Sequence, residues 1–173
     1  MTSTLDAMLA HSMQDDRLVD AMQAGIAAFT RYRDEIPLLE LSYTRMLLRK
    51  THDYELVAMQ WAPGAISPIH DHGKSRCWVV VLEGTLEVES YDRLDDGTGE
   101  IASLGAPCSA TLKTDELDHR LNWRELHRVR NTQRVSSYSL QVYASPQFDY
   151  VVIDDVTFHC MRALPKYDAT FAL

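Results

Sequence analysis

Residues 64–84, "GAISPIHDHGKSRCWVVVLEG", carry the pattern that decides both the fold and the chemistry of this chain. His70 and His72 are separated by one residue, so on an extended strand both imidazoles point to the same face. Two imidazoles on one face can bind a single metal ion, and an "APG" turn signal lies just before them. The stretch therefore predicts two ligands of a metal site.

The third ligand is not fixed by spacing alone. His127 is the leading candidate, because the period of two in "ELHRVRN" places it on one face of a strand, and His159 in "VTFHC" is the alternative. We interpret His11 and His52 as surface groups, and His119 lies in "TDELDHRLN", which resembles a loop more than a strand. Three neutral imidazoles suit zinc, iron, copper or nickel, so the ligands leave the metal open.

Hydrophobic periodicity changes once along the chain. Before residue 41, apolar residues recur at steps of three and four, which predicts helices, and Asp15 and Asp16 fall between two such patterns, where a helix N-terminus favours a carboxylate. After residue 41, short segments such as "YELVAMQW" and "SYSLQVYA" have a period of two and are separated by turn signals. We predict one domain over residues 1–173, with a helical region at 1–40 and an antiparallel β-barrel at 41–162.

The charge of the chain argues against a nucleic-acid partner. The formal net charge is −8 over 173 residues, so a phosphate-binding surface would have to be local. One basic run is interleaved with apolar residues, and we interpret it as the solvated face of strands: Arg120, Arg124, Arg128, Arg130 and Arg134.

Cysteine usage and the N-terminus bear on the compartment. Three scattered cysteines are too few for a disulfide framework: Cys77, Cys108 and Cys160. The N-terminus has no signal-peptide pattern, and no apolar stretch approaches bilayer length. We expect a cytoplasmic monomer that has neither a membrane nor a nucleic acid as partner.

Two motifs connect the histidines to a known family. The first cupin motif, G-x5-H-x-H-x4-E-x6-G, is matched by Gly64, His70, His72 and Gly84. Cys77 occupies the glutamate position, and His127 with Asn131 fits the H-x3-N end of the second motif. A cysteine in place of the glutamate marks the cysteine dioxygenase family, an iron-dependent branch of the cupins. The chain resembles this family over roughly residues 41–160, including "YTRMLL", "YSLQVYASPQFD" and "VTFH".

The resemblance implies a mainly β fold, a cupin barrel (a double-stranded β-helix, similar to a jelly roll) preceded by N-terminal α-helices. It implies one Fe(II) per chain, held by His70, His72 and His127. The implied activity is that of a thiol dioxygenase, which uses O2 to oxidise a small thiol carboxylic acid, L-cysteine first, to its sulfinic acid. Alternatives are 3-mercaptopropionate or another mercapto acid as substrate, or a metal-binding cupin of a different class.

The remaining site residues also come from the resemblance. Arg45 would bind the substrate carboxylate, Tyr143 would be the active-site tyrosine, and Cys77 would be its thioether cross-link partner. The family commonly has Ser-x-His-x-Tyr, whereas this chain has Ser139, Gln141 and Tyr143 on one face of a strand. Glutamine forms hydrogen bonds but takes up no proton near neutral pH, so the relay keeps its geometry and changes its chemistry. Gln141 is thus a further expected contact with the substrate.

Overall fold

Two helices precede the sheets in the computed structural model of the protein, which describes residues 4–35, 42–146 and 149–170. Helix α1 spans Thr4–Met13, helix α2 spans Asp16–Tyr32, and a short 3-10 turn follows at Arg33–Glu35. The side chain of Asp15 caps α2 by accepting a hydrogen bond from the backbone N–H of Arg17 at 3.0 Å. The predicted helix start at the two aspartates is therefore confirmed.

Twelve strands follow within the described residues. Their bounds are β1 (Tyr43–Lys50), β2 (Tyr54–Trp61), β3 (Ile69–His70), β4 (Arg76–Glu83), β5 (Thr85–Asp92), β6 (Cys108–Lys113), β7 (Leu117–Arg120), β8 (Glu125–Arg130), β9 (Ser137–Ala144), β10 (Tyr150–Ile153), β11 (Cys160–Ala163) and β12 (Ala169–Thr170). The first sheet has the order β12-β1-β2-β9-β4-β7, and the second has the order β11-β10-β3-β8-β5-β6. All pairings except the parallel β1–β12 contact are antiparallel.

The first sheet is covered on both faces. Its outer side packs against the helices, and a Cβ added at Gly25 of α2 would lie 2.7 Å from the Leu140 side chain, so the helix approaches β9 closely. The inner side joins the second sheet through a cluster that includes Val79 of β4 and Val129 of β8. Every residue of β9 is buried as a result, and the space between the two sheets is where interior side chains from both can meet.

The architecture confirms the predicted fold class, a mainly β cupin barrel with N-terminal helices. The period-two pattern missed three strands, β7, β11 and β12, because segments of two to four residues are too short to show a period. His119 belongs to β7 and is exposed, so its interpretation as part of a loop is wrong. Strand β12 pairs with β1 beyond residue 162, the expected end of the barrel. Within the described residues, no helix is both long and apolar enough to cross a membrane.

Candidate active site

Three histidines converge from the second sheet and the loop after β3. His70 ends β3 and is the cross-strand neighbour of His127 in β8. The His70 and His127 ring centroids are 4.7 Å apart, and that of His72 lies 5.1 Å from the first and 4.8 Å from the second. Candidate ligand atoms on the three rings all lie within 4.8 Å of one another. The alternative third ligand, His159, is exposed and pairs instead with Ile101.

A tight turn rather than a continuous strand presents His72. Strand β3 ends at His70, and Oδ1 of Asp71 accepts hydrogen bonds from the backbone N–H of Gly73 at 3.0 Å and of Val151 at 2.8 Å. Gly73 has a φ of +59°, and a Cβ there would lie 2.3 Å from a backbone oxygen, so the turn requires glycine. The expectation that one strand carries both histidines is corrected, although both rings reach the same cluster.

Burial keeps the three rings neutral. It lowers the pKa of His70 to about 4 and moves the pKa values of His72 and His127 well below their usual range. The Nδ1 atom of His70 lies 3.0 Å from the carbonyl oxygen of Pro68, and Nδ1 of His127 lies 3.2 Å from Oδ2 of Asp118. A ring whose Nδ1 faces an oxygen carries its proton there and keeps a lone pair on Nε2. The donor set therefore fits a divalent transition metal.

Side chains of the first sheet face the histidines across a cavity. Its lining includes Arg45 of β1, Gln141 of β9, His70 and His127. Tyr43 and Tyr150 line the same cavity. The predicted carboxylate-binding arginine and two of the three predicted metal ligands thus share one space.

Arg45 is held in place by two aromatic rings and by its backbone hydrogen bonds. Its guanidinium carbon lies 5.8 Å from the ring centroid of Tyr143 and 5.9 Å from that of Tyr167. Its backbone N–H donates to Oδ2 of Asp168 at 2.8 Å, and its carbonyl accepts from the Asp168 N–H at 2.8 Å. Among the described residues, nothing accepts a hydrogen bond from the buried Nε and Nη2 atoms of Arg45. A buried guanidinium with free donors is a site for an anion.

Tyr143, Gln141 and Cys77 lie side by side on neighbouring strands. The hydroxyl of Tyr143 donates a short hydrogen bond to Oε1 of Gln141, and Cys77 of β4 is the direct cross-strand neighbour of Tyr143. Burial raises the pKa of both the Cys77 thiol and the Tyr143 phenol, so both stay protonated at neutral pH. The hydroxyl of Ser139 accepts from the indole N–H of Trp61 at 3.0 Å, so the described hydrogen bonds join Tyr143 to Gln141 and leave Ser139 outside.

Sequence comparison agrees with this geometry. A family model described as "Cysteine dioxygenase type I" matches residues 3–153. The chain belongs to the cysteine dioxygenase type I family. The cysteine dioxygenase type 1 of Rattus norvegicus is 27% identical over 166 residues, which cover 92% of this chain and 81% of the rat protein. The Homo sapiens protein of the same name is 27% identical over 153 residues, covering 87% of this chain and 70% of the human protein.

Solved structures add support for the fold. Oxalate oxidase in complex with the substrate analogue glycolate aligns with a TM-score of 0.50 at 18% identity, covering 62% of this chain and 53% of that one. The chain thus spans about half the length of that structure, and the likeness concerns the fold alone. Family membership confirms the resemblance noted in the sequence and implies a dioxygenase that acts on a thiol and O2 at a mononuclear metal centre.

Several residues around this cysteine dioxygenase-type site were not predicted from the sequence. Asp118 contacts His127, Tyr150 lines the cavity, and Tyr167 packs on Arg45. Arg120 is only 9% exposed, so its interpretation as part of a solvated face is wrong. A period of two in "LDHR" would have placed Asp118 and Arg120 on one face of a strand, which was the available signal.

Proposed function

We propose that this chain is a mononuclear non-haem Fe(II) thiol dioxygenase. It would oxidise a small thiol carboxylic acid, with L-cysteine as the first candidate, to the sulfinic acid by adding both atoms of O2. One observation carries the proposal. Neutral histidines and Arg45, whose buried N–H groups are unpaired, line the same cavity. Neutral ligands leave a metal its full charge, which attracts a thiolate, while the arginine attracts a carboxylate.

The histidines and the arginine divide the substrate between them. His70, His72 and His127 would hold one ferrous ion, which supplies the redox chemistry that joins O2 to a thiolate sulfur. Arg45 binds the carboxylate through two parallel hydrogen bonds, because its guanidinium is planar and two of its nitrogens lack partners. Fixing the carboxylate orients the thiol end of the substrate toward the histidines and lowers the entropy cost of the reaction.

Tyr143 and Gln141 orient the substrate without exchanging a proton. The raised pKa of Tyr143 keeps its hydroxyl protonated, and Gln141 accepts that proton in a hydrogen bond but does not titrate. Because Gln141 also lines the cavity, its amide N–H is available to the substrate. The pair holds the substrate through hydrogen bonds alone, and any proton transfer during the reaction involves other groups.

Cys77 keeps the metal site free of an anionic protein ligand. Its thiol is fully buried and protonated where other cupins have a glutamate. We propose that it also forms a thioether with Tyr143, in which a sulfur–carbon bond replaces one S–H and one ring C–H bond, and two electrons and two protons pass to O2. Intact-mass measurement after turnover should show the loss of two hydrogens. An unchanged mass would leave Cys77 with only the first role.

The replacement of the usual histidine by Gln141 favours a second candidate. A thiol acid without the amine of cysteine, such as 3-mercaptopropionate or mercaptosuccinate, would suit the changed hydrogen bonding at this position. Oxygen uptake by iron-loaded protein with cysteine, 3-mercaptopropionate, mercaptosuccinate and cysteamine tests both candidates. We expect uptake with a carboxylated thiol and far less with cysteamine. Purified protein that is rich in zinc, poor in iron and inert to all four thiols would instead indicate a cupin of another class.

Two further expectations belong to this proposal. The three described cysteines are free, which supports a reducing compartment, and we propose a cytoplasmic monomer. Cell fractionation and light scattering of the purified protein would test the compartment and the oligomeric state separately.

A further inference from the structure

A carboxylate–guanidinium pair on β7 lies directly behind one of the histidines. Oδ2 of Asp118 is 3.2 Å from Nδ1 of His127 and 3.1 Å from Nη2 of Arg120, so a single oxygen joins both groups. The side chains are 16%, 2% and 11% exposed, respectively, which keeps water from competing strongly for these contacts.

Arg120 is itself anchored across the barrel. Its Nη2 donates to Oγ of Ser90 at 2.7 Å, and its Nη1 donates to the carbonyl oxygen of His119 at 3.1 Å. Ser90 belongs to β5 and is the cross-strand neighbour of His127 in β8. Asp118 and Arg120 belong to the first sheet, and Ser90 and His127 belong to the second. These hydrogen bonds run between the two sheets, so the position of the His127 ring depends on how the two sheets pack together.

The three histidines differ in what supports them. His127 faces a carboxylate, His70 faces the neutral carbonyl of Pro68, and the buried Nδ1 of His72 has no partner among the described residues. A carboxylate that accepts from Nδ1 fixes the tautomer and the ring orientation, and it makes Nε2 a stronger donor to a metal. The three histidines are therefore predicted to bind a metal with unequal strength.

We propose that Asp118, held by Arg120, is a positioning residue for the metal, which makes His127 the strongest of the three ligands and sets the affinity of the site. This inference rests on the proposed metal site and adds to it a residue outside the cupin motifs. Removing the carboxylate should weaken metal binding about 10- to 100-fold while leaving all three histidines in place.

The chain offers a matched control for this substitution. Arg93 and Asp95 form a second pair two residues apart, 2.8 Å between Nε and Oδ1, with side chains 2% and 22% exposed. This pair contacts no histidine in the described part of the chain. A substitution at Asp95 thus breaks a comparable buried ion pair without touching the metal ligands.

The test is an anaerobic Fe(II) titration of metal-free protein against a competing chelator, with thermal unfolding recorded for each variant. We expect Asp118→Ala to raise the Kd about 10- to 100-fold, Asp118→Asn to raise it less because its amide oxygen still accepts from Nδ1, and Asp95→Ala to leave it unchanged. Asp118→Asn is nearly isosteric, so it remains informative if the alanine variant does not fold.

The outcomes separate the two proposals. Wild-type Kd values in both Asp118 variants, or an equal loss in Asp95→Ala, would overturn the role of Asp118 and leave the metal site intact. A wild-type protein that binds no Fe(II) would overturn the proposed function, and this inference with it. Nitrogen-15 NMR of the metal-free protein gives a second readout, because His127 should be the Nδ1–H tautomer in the wild type and lose that preference in Asp118→Ala.

Discussion

The two sheets supply opposite halves of the cavity, and the halves are built on different principles. The proposed metal wall, His70, His72 and His127, comes from the second sheet and the loop after β3. His70 and His127 line the cavity, and each has an oxygen behind its Nδ1 atom. The proposed substrate wall comes from the first sheet and consists of Arg45 and Gln141, which line the cavity, together with Tyr143, which is hydrogen-bonded to Gln141. Two buried nitrogens of Arg45 have no partner in the described residues. Protein oxygens thus hold two of the histidine rings in place, whereas the free N–H groups of Arg45 are left to pair with a ligand.

This difference has an energetic consequence. A buried polar group without a partner costs about 1–3 kcal/mol, and a ligand that satisfies it recovers that free energy on binding. Changes to the metal wall should therefore act on metal retention and folding, whereas changes to Arg45 should act on substrate affinity. Four predictions test this division, in order of decreasing effect.

Loss of a metal ligand should have the largest effect. His127→Ala removes the proposed ligand that contacts Asp118, and we expect iron affinity to fall by more than about 100-fold, beyond the effect of losing the Asp118 carboxylate alone. Metal analysis of the purified variant checks this. His159→Ala is the control, because His159 is exposed and lies outside the cluster. Wild-type iron content in His127→Ala would move the third ligand elsewhere.

Lowering the pH should destabilise the metal-free protein, because the buried histidines bind protons more readily in the unfolded chain. The pKa of His70 falls from 6.5 to about 4 on folding, so between these values the unfolded chain binds more protons than the folded one. Stability is then lost as pH falls through this window, by up to about 3 kcal/mol for this histidine.

Thermal unfolding of the metal-free protein between about pH 4 and about pH 7 measures this loss. His70→Gln should make the decline shallower, whereas His52→Gln should not, because the His52 side chain is fully exposed. A midpoint that stays constant across the window would contradict the neutral, buried state of the metal wall.

Arg45 should control substrate affinity. Arg45→Ala removes charged hydrogen bonds worth about 2 kcal/mol, so KM for a carboxylated thiol should rise roughly 30-fold with iron content unchanged. Cysteamine, which has no carboxylate, should show a much smaller change in the same oxygen-uptake assay. Equal effects on both thiols would make Arg45 a structural residue.

Tyr167 should affect stability more than catalysis. Its hydroxyl donates to Glu55, whose side chain is fully buried and lies 3.1 Å from Nζ of Lys50. Tyr167→Phe removes that donor and keeps the ring beside Arg45, so we expect a loss of about 1 kcal/mol in the free energy of unfolding and little change in KM. Chemical denaturation measures the loss, with Tyr54→Phe as control. A large rise in KM would place Tyr167 in the substrate wall.

Prediction from the sequence succeeded where a pattern is local. The segment "YELVAMQW" coincides with β2, Tyr54–Trp61, because a long strand buried in a sheet shows its apolar character directly. The first cupin motif is equally local, since 21 consecutive positions from Gly64 to Gly84 carry two of the three histidines. His127 needed the family resemblance, because spacing alone left His159 open.

Prediction failed where contacts depend on how the sheets close. Asp118 lies nine residues before His127 in the sequence, and the two side chains meet although β7 belongs to the first sheet and β8 to the second. Arginine is usually a surface residue, but Arg120 is buried, and it forms a hydrogen bond to Ser90 of the other sheet that the sequence pattern does not reveal. The β12 contact with β1 involves two-residue pairing that no periodicity can reveal.

The most direct test of the proposed activity is the fate of labelled oxygen. Iron-loaded wild-type protein is incubated with L-cysteine, and separately with 3-mercaptopropionate, under isotopically labelled dioxygen, and the products are analysed by mass spectrometry. We predict a sulfinic acid that carries two labelled oxygen atoms on sulfur, formed in equal amount to the oxygen consumed, and no such product from zinc-loaded protein. A disulfide, a singly labelled product or no product from either thiol would contradict the assignment as a thiol dioxygenase.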